Sequence, residues 1–210
     1  MKTFFIAFAY MMSERQDSVN WALDRCREML HSKDLYVKVV ITDWDNALMN
    51  VVEKVFPDTT PLLCPYHIGQ NMRTKCKFDC KVKDLRCKNG EAIKPTSVVT
   101  TVVTAWLDIV DSETEEAYID NWTRFKAVCA KFPKLLNYVE KTILNPVKVK
   151  LLSFWVDKNF HMGNTTTDRT ESAHARLKKY LSSSMSDFST DWKSVHDLKL
   201  HKADISLLPK

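Results

Sequence analysis

Val37-Lys38-Val39-Val40-Ile41-Thr42-Asp43-Trp44-Asp45-Asn46-Ala47-Leu48 is the stretch on which the fold turns. Val37, Val39, Val40 and Ile41 are β-branched and lead directly into a carboxylate. A short run that is apolar on both faces predicts a strand inside a sheet. Asp43 then stands at its carboxyl end, where open α/β sheets collect their ligands. Asp45 and Asn46 can cap the helix that follows, Ala47 to Val55. The competing reading is a surface turn whose aspartates only cap a helix.

The neighbouring segments repeat this alternation. Lys2 to Met12 reads as a strand, Asp17 to His31 as a helix and Leu35 to Thr42 as the second strand. Phe56-Pro57 stops the next helix, and Pro61-Leu62-Leu63-Cys64 is a third short strand. Strand and helix in turn argue for an α/β layer. After residue 65 the pattern changes. His67 to Lys77 looks helical, and 98–160 reads as helices, although Val98 to Val103 is β-branched enough to suit a strand. Ser112-Glu113-Thr114-Glu115 has capping-box spacing, and Phe132-Pro133 and Asn145-Pro146 punctuate the helices that follow. A polar turn, Gly163 to Thr167, precedes a last helix from Asp168 to Ser182.

Composition sets the class. The 210 residues are 45% hydrophobic and 27% charged, with three Gly and seven Pro, so a globular chain without low-complexity linkers is expected. Net charge is only +5, but it is segregated. From Arg73 to Lys94 eight bases stand against three acids, whereas Asp108, Asp111, Glu113, Glu115, Glu116 and Asp120 have no base among them. A local basic patch suits a polyanion as well as it suits a solvated loop. No apolar run is long enough to span a membrane. The apolar start resembles a signal peptide, but Ser13-Glu14-Arg15-Gln16 follows without a small-x-small cleavage site, which favours a core strand.

Two further segments carry chemistry: Leu63-Cys64-Pro65-Tyr66-His67-Ile68, and Asp168-Arg169-Thr170-Glu171-Ser172 running on to Leu177-Lys178. With Ala7-Phe8-Ala9-Tyr10-Met11, Trp21-Ala22-Leu23, Ile41-Thr42-Asp43 and Phe56-Pro57, they form an ordered set over residues 4 to about 182. This set resembles the transposase domain of Mutator-like elements, the group that also gave plants the far-red-response transcription factors. The resemblance implies an α/β, ribonuclease H-like core of DDE type, N-terminally truncated, with an all-α insertion before the last helix. It divides the chain into a partial core (1–72), a basic irregular segment (73–97), a helical insertion (98–160), a core helix with the third acid (161–184) and a divergent tail (185–210). It further implies DNA as partner, Mg²⁺ or Mn²⁺ as cofactor and a nuclear location.

Asp43 matches the family's second acid and Glu171 its third. The chemistry agrees, because phosphodiester cleavage needs an activated oxygen and a stabilised leaving oxygen, and two hard cations roughly 4 Å apart, held by carboxylates, supply both. Asp168-x-x-Glu171 is also capping-box spacing, so capping is the competing role for Glu171. His174, at i+3, faces the same side and can support the site. Cys64-Pro65-Tyr66-His67 resembles the family's C(2)H motif. It can supply half of a zinc site, with Cys76, Cys80 and Cys87 available to complete it. The alternative is a buried Cys and a structurally bonded His. The family's first acid precedes the strand matched by Lys2 to Met12, and no Asp or Glu precedes Glu14. Three readings follow: a transposase fragment that is catalytically incomplete; a domesticated DNA-binding or transcription-regulatory module; or a small nuclease in which Asp45 replaces the missing acid. Arg73, Lys75, Lys77, Lys81, Lys83, Arg86 and Lys88 are the candidate phosphate contacts. Self-association is expected if Lys2 to Met12 is an exposed apolar edge.

Overall fold

The computed structural model describes residues 15–30, 37–81 and 94–179, with a few isolated positions beyond those runs. The strand expected over Lys2 to Met12, residues Lys83, Arg86, Cys87 and Lys88, and nearly all of the 185–210 tail lie outside the described residues. The chain divides into two compact units, one of residues 4–166 and one of residues 1–3 with 167–210.

In the larger unit, α1 (Gln16–Leu30) precedes β1 (Val39–Thr42), α2 (Asn46–Val55) and β2 (Thr60–Leu63). β1 and β2 pair in parallel, Val39 opposite Thr60 and Thr42 opposite Leu63. This is one β-α-β unit, with α1 packed on α2 and α2 on both strands. The described part is thus mostly helical with a small parallel sheet, compatible with an α/β class. Asp45 begins α2 as expected: its backbone is extended (φ −113°, ψ 121°) and its carboxylate accepts the Leu48 N–H at 2.7 Å. β1 is less buried than an apolar run suggests. Val39, Val40 and Ile41 are half-buried and only Thr42 is buried. Among the described residues β1 pairs with β2 alone, whereas β2 is also covered by a later helix, Asn145–Leu151.

The helical layer begins with α3 (Pro65–Asp79), which carries Pro at its first position, where no N–H is needed. α4 (Pro95–Val110), α5 (Glu115–Val128), α6 (Pro133–Tyr138), a π-helical turn (Val139–Leu144), α7 (Asn145–Leu151) and α8 (Ser153–Val156) follow. The β-branched Val98–Val103 stretch is helix, not strand. Val102, Val103, Trp106, Ile109 and Val110 repeat at helical intervals and are buried, and this packing outweighs intrinsic propensity. Thr100 and Thr101 bond back to the Thr96 and Ser97 carbonyls, which satisfies their hydroxyls within the helix.

Two local expectations are corrected. The cap of α5 is Thr114, whose side chain accepts the Ala117 N–H at 3.1 Å. Ser112 is buried instead, donating to the Asp108 carbonyl and accepting from Asn121. Thr114→Ala is expected to cost about 1 kcal/mol in urea unfolding, while Glu113→Ala, outside the cap, leaves the midpoint unchanged. Nor does Asn145-Pro146 end a helix. Pro146 lacks an N–H and its ring crowds the carbonyl four residues back, and the helix widens just before it. The Asn145 N–H accordingly bonds Glu140 O, five residues back.

One core joins sheet and helices, from Leu63, Ile68 and Met72 through Trp106 and Phe125 to Leu151 and Leu152. Phe125 is fully buried, edge-on to Trp106 (6.5 Å) and stacked with Trp122 (5.7 Å, 18°). In the smaller unit, α9 (Asp168–Lys178) is the described element, with Ala173 buried. No helix among the described residues is long and apolar enough to cross a membrane.

Candidate metal and nucleic-acid site

The parallel register places the ends of β1 and β2 side by side, so Asp43 and Cys64 leave the sheet at the same end. The Cys64 N–H continues the ladder to the Thr42 carbonyl (2.9 Å), and Cys64 itself is fully buried. α3 starts at Pro65, which puts His67 in the first turn. From there its Nδ1 lies 3.0 Å from Asp43 Oδ1. The Asp43 side chain is 52% exposed and that of His67 30%, so the pair faces solvent. The Tyr66 ring meets the imidazole edge-on, 5.6 Å between centroids.

The C-x-x-H spacing thus sets a buried Cys under a His turned to Asp43. Among the described residues no group of three or more His, Cys, Asp or Glu is gathered in a way that could hold a metal ion. Asp43 contributes one accessible carboxylate there, whereas a hard divalent cation takes several oxygen ligands. Asp45 is engaged as the α2 cap.

Glu171 lies in the smaller unit. Its N–H bonds the Thr167 carbonyl, and its Oε1 accepts the Thr167 hydroxyl at 2.9 Å. Because α9 starts at Asp168, the residue before the helix is Thr167, and Asp168-x-x-Glu171 is not a capping box. Glu171 is partly buried, and His174, one turn on, is exposed. Thr167 is a residue that sequence reasoning missed. Its position one before the helix start was the available signal.

The basic candidates separate. Arg73 and Lys77, four apart on α3, are exposed, as is Lys81 just past its end. Lys75 is tied down instead, 3.3 Å from Asp79 Oδ2 and over the Tyr138 ring. Asp79 Oδ2 is buried without a hydrogen bond of good geometry, so this contact is an ion pair only.

Cys76 and Cys80 lie apart from this surface, in the core, with the Cys76 thiol 3.3 Å from the Cys80 sulfur. Cys129 joins the same core from the end of α5. Burial raises all three thiols, Cys129 to about 12, although the bond to Cys80 partly offsets the rise at Cys76. Spacing along the chain gave no sign that Cys129 belongs with the other two.

Residues 1–71, about a third of the chain, match the family model of the MULE transposase domain. The matched span contains Asp43, Asp45, Cys64 and His67 and ends within α3. Neither the curated proteins nor the solved structures yield a match.

Proposed function

We propose that this chain is a transposase-derived domain of the Mutator-like kind that binds DNA through its basic surface, keeps part of a DDE site and does not by itself cleave DNA. The observation that carries the reading is the match of residues 1–71 to the MULE transposase domain, with Asp43 at the carboxyl end of a parallel strand. The core is read as ribonuclease H-like, with α4 to α8 as the insertion and α9 as the last core helix. By the family pattern Asp43 and Glu171, one in each unit, are the residues assigned to Mg²⁺ or Mn²⁺. Bound there, the cation would activate an oxygen nucleophile and neutralise the leaving oxygen. Asp43 would present a carboxylate that lies 3.0 Å from His67 Nδ1, and Glu171 one that accepts the Thr167 hydroxyl.

A two-metal site needs acids that bridge and flank both ions. Within 1–210 the family pattern assigns two acids. Asp45 is a poor substitute for a third, since its carboxylate caps α2. The regulatory-module reading shares the DNA contact and needs no metal. Both place the protein in the nucleus.

Electrostatic DNA binding is the test of this reading. Affinity for a mixed-sequence duplex is expected to fall linearly with log salt, at about −0.9 per phosphate neutralised. Arg73→Glu, Lys77→Glu and Lys81→Glu should each reduce that slope by about 1, uniformly across sequences. Lys75→Glu should change the slope less, because Lys75 is already paired. A triple reversal at Arg73, Lys77 and Lys81 that binds like the unaltered chain would show the patch to be solvated surface only.

A further inference from the structure

We propose that the exposed face of α3 takes single-stranded DNA, with Phe78 stacking on an unpaired base while Arg73, Lys77 and Lys81 hold the flanking phosphates. The inference rests on the DNA-binding reading given above and names the kind of DNA that this surface fits.

The residues of α3 sort themselves around the helix. Ile68, Met72 and Cys76, four apart, are fully buried and fix the side that faces the core. Arg73 and Lys77 form one row on the solvent side, and Asn71, Thr74 and Phe78 form the row beside it. All five are exposed, as is Lys81 just past the helix end. The one acid in the helix, Asp79, stays out of this face: its side chain is 13% exposed and lies 3.3 Å from Lys75. The solvent face of α3 therefore combines cations, an amide, a hydroxyl and a phenyl ring, with no carboxylate.

Phe78 is the residue that solvent exposure alone does not explain. Its ring is 70% exposed, only two positions from the fully buried Cys76. A single exposed apolar side chain is ordinary on a protein surface. This one stands in the midst of the cations that would draw a polyanion. A duplex keeps its bases paired and stacked inside, so it turns mainly phosphate and sugar toward such a face. A single strand also offers the π-faces of its bases, and an aromatic ring in a basic surface is what stacks on them. The ring is carried on a helix and has two side-chain torsions, so little freedom is lost when a base covers it. Stacking is not a charge interaction. It changes the affinity and leaves the salt slope, which counts phosphates, as it was.

The experiment measures binding of the full 210-residue chain to a short labelled oligothymidine by fluorescence anisotropy over a salt series, beside the mixed-sequence duplex. Phe78→Ala should bind the single strand about 5–150-fold more weakly, the worth of one stacked base, with the salt slope and the duplex affinity unchanged. Phe78→Leu, apolar but without a ring, should be as weak as Phe78→Ala, and Phe78→Trp should bind like the unaltered chain. An abasic strand of the same length keeps the phosphates and lacks the bases. It should bind the unaltered chain as weakly as oligothymidine binds Phe78→Ala. Circular dichroism should be the same for all variants, since the position is exposed. Unchanged single-strand affinity in Phe78→Ala, an equal loss on the duplex, or full binding by Phe78→Leu would overturn the stacking role and leave the DNA-binding reading intact. Binding of neither DNA by the unaltered chain would remove that reading and this inference with it.

Discussion

Phe125→Ala is expected to destabilise the chain by about 3–5 kcal/mol, since deleting a buried ring forfeits both its transfer energy and the contacts lining the cavity left behind. Phe125 is fully buried between Trp106 and Trp122, so its ring contacts on two sides are lost together. Against a typical stability of about 5–15 kcal/mol, this change brings the fold close to its limit. Urea unfolding followed by tryptophan fluorescence should show a large drop in midpoint with the slope retained. Ile119→Ala, at an exposed position of the same helix, should stay within about 0.5 kcal/mol. A Phe125→Ala midpoint equal to that of Ile119→Ala would mean that α4 and α5 do not pack as described.

Stability should also fall steeply on the alkaline side, and Cys76, Cys80 and Cys129 should resist thiol reagents in the folded state. Their thiols are raised, chiefly by burial, with Cys129 at about 12. A raised thiol holds its proton more tightly folded than unfolded. The contribution is therefore complete below the unfolded value of about 8.5 and is lost as pH rises toward the folded values. Tyr118 and Tyr138, also raised by burial, act with the same sign at higher pH. Urea midpoints should be flat from pH 6 to 8 and decline from pH 9 to 11. Cys129→Ala should flatten that decline. A rising midpoint over the same interval would contradict the burial of these thiols. In urea all the thiols should react promptly, since thiolate access controls the rate.

The local elements near Asp43 were legible because their signals are local. β-branched residues before an aspartate, a capping Asp45 and Pro after Phe56 give the end of β1 and nearly all of α2, although Val37 and Lys38, expected in the strand, lie before it. Residues 98–103 were ambiguous for a physical reason. β-branched side chains favour strands, and only the burial of alternate helical turns against α3 and α5 settles the matter. The two misplaced caps, Thr114 for Ser112 and Thr167 for Asp168, differ by one or two positions, which pattern alone does not resolve. The π-helical turn before Pro146 follows from a proline that packing keeps within a helix rather than at its end.

Of the site, residue identities were readable and their pairing was not. Asp43 and His67 are far apart in sequence and meet only because β1 and β2 are parallel and in register at Thr42 and Leu63. Given a parallel pair, the ends of both strands must lie together, so the meeting of Asp43 with the first turn of α3 follows from topology. The basic segment reads differently in three dimensions than as a charge count, since Lys75 is held by Asp79 while Arg73 and Lys77 share an exposed face.

The most direct measurement is a supercoiled-plasmid nicking assay with the purified chain, in Mg²⁺ and in Mn²⁺, at a salt concentration where binding to the same plasmid is confirmed. In the proposed reading DNA should be retained and no nicked or linear product should form, because Asp43 and Glu171 would supply only two of the acids that a two-metal site requires. Metal-dependent nicking abolished by Asp43→Ala and by Glu171→Ala would contradict the account and return Asp45 to consideration as an acting acid.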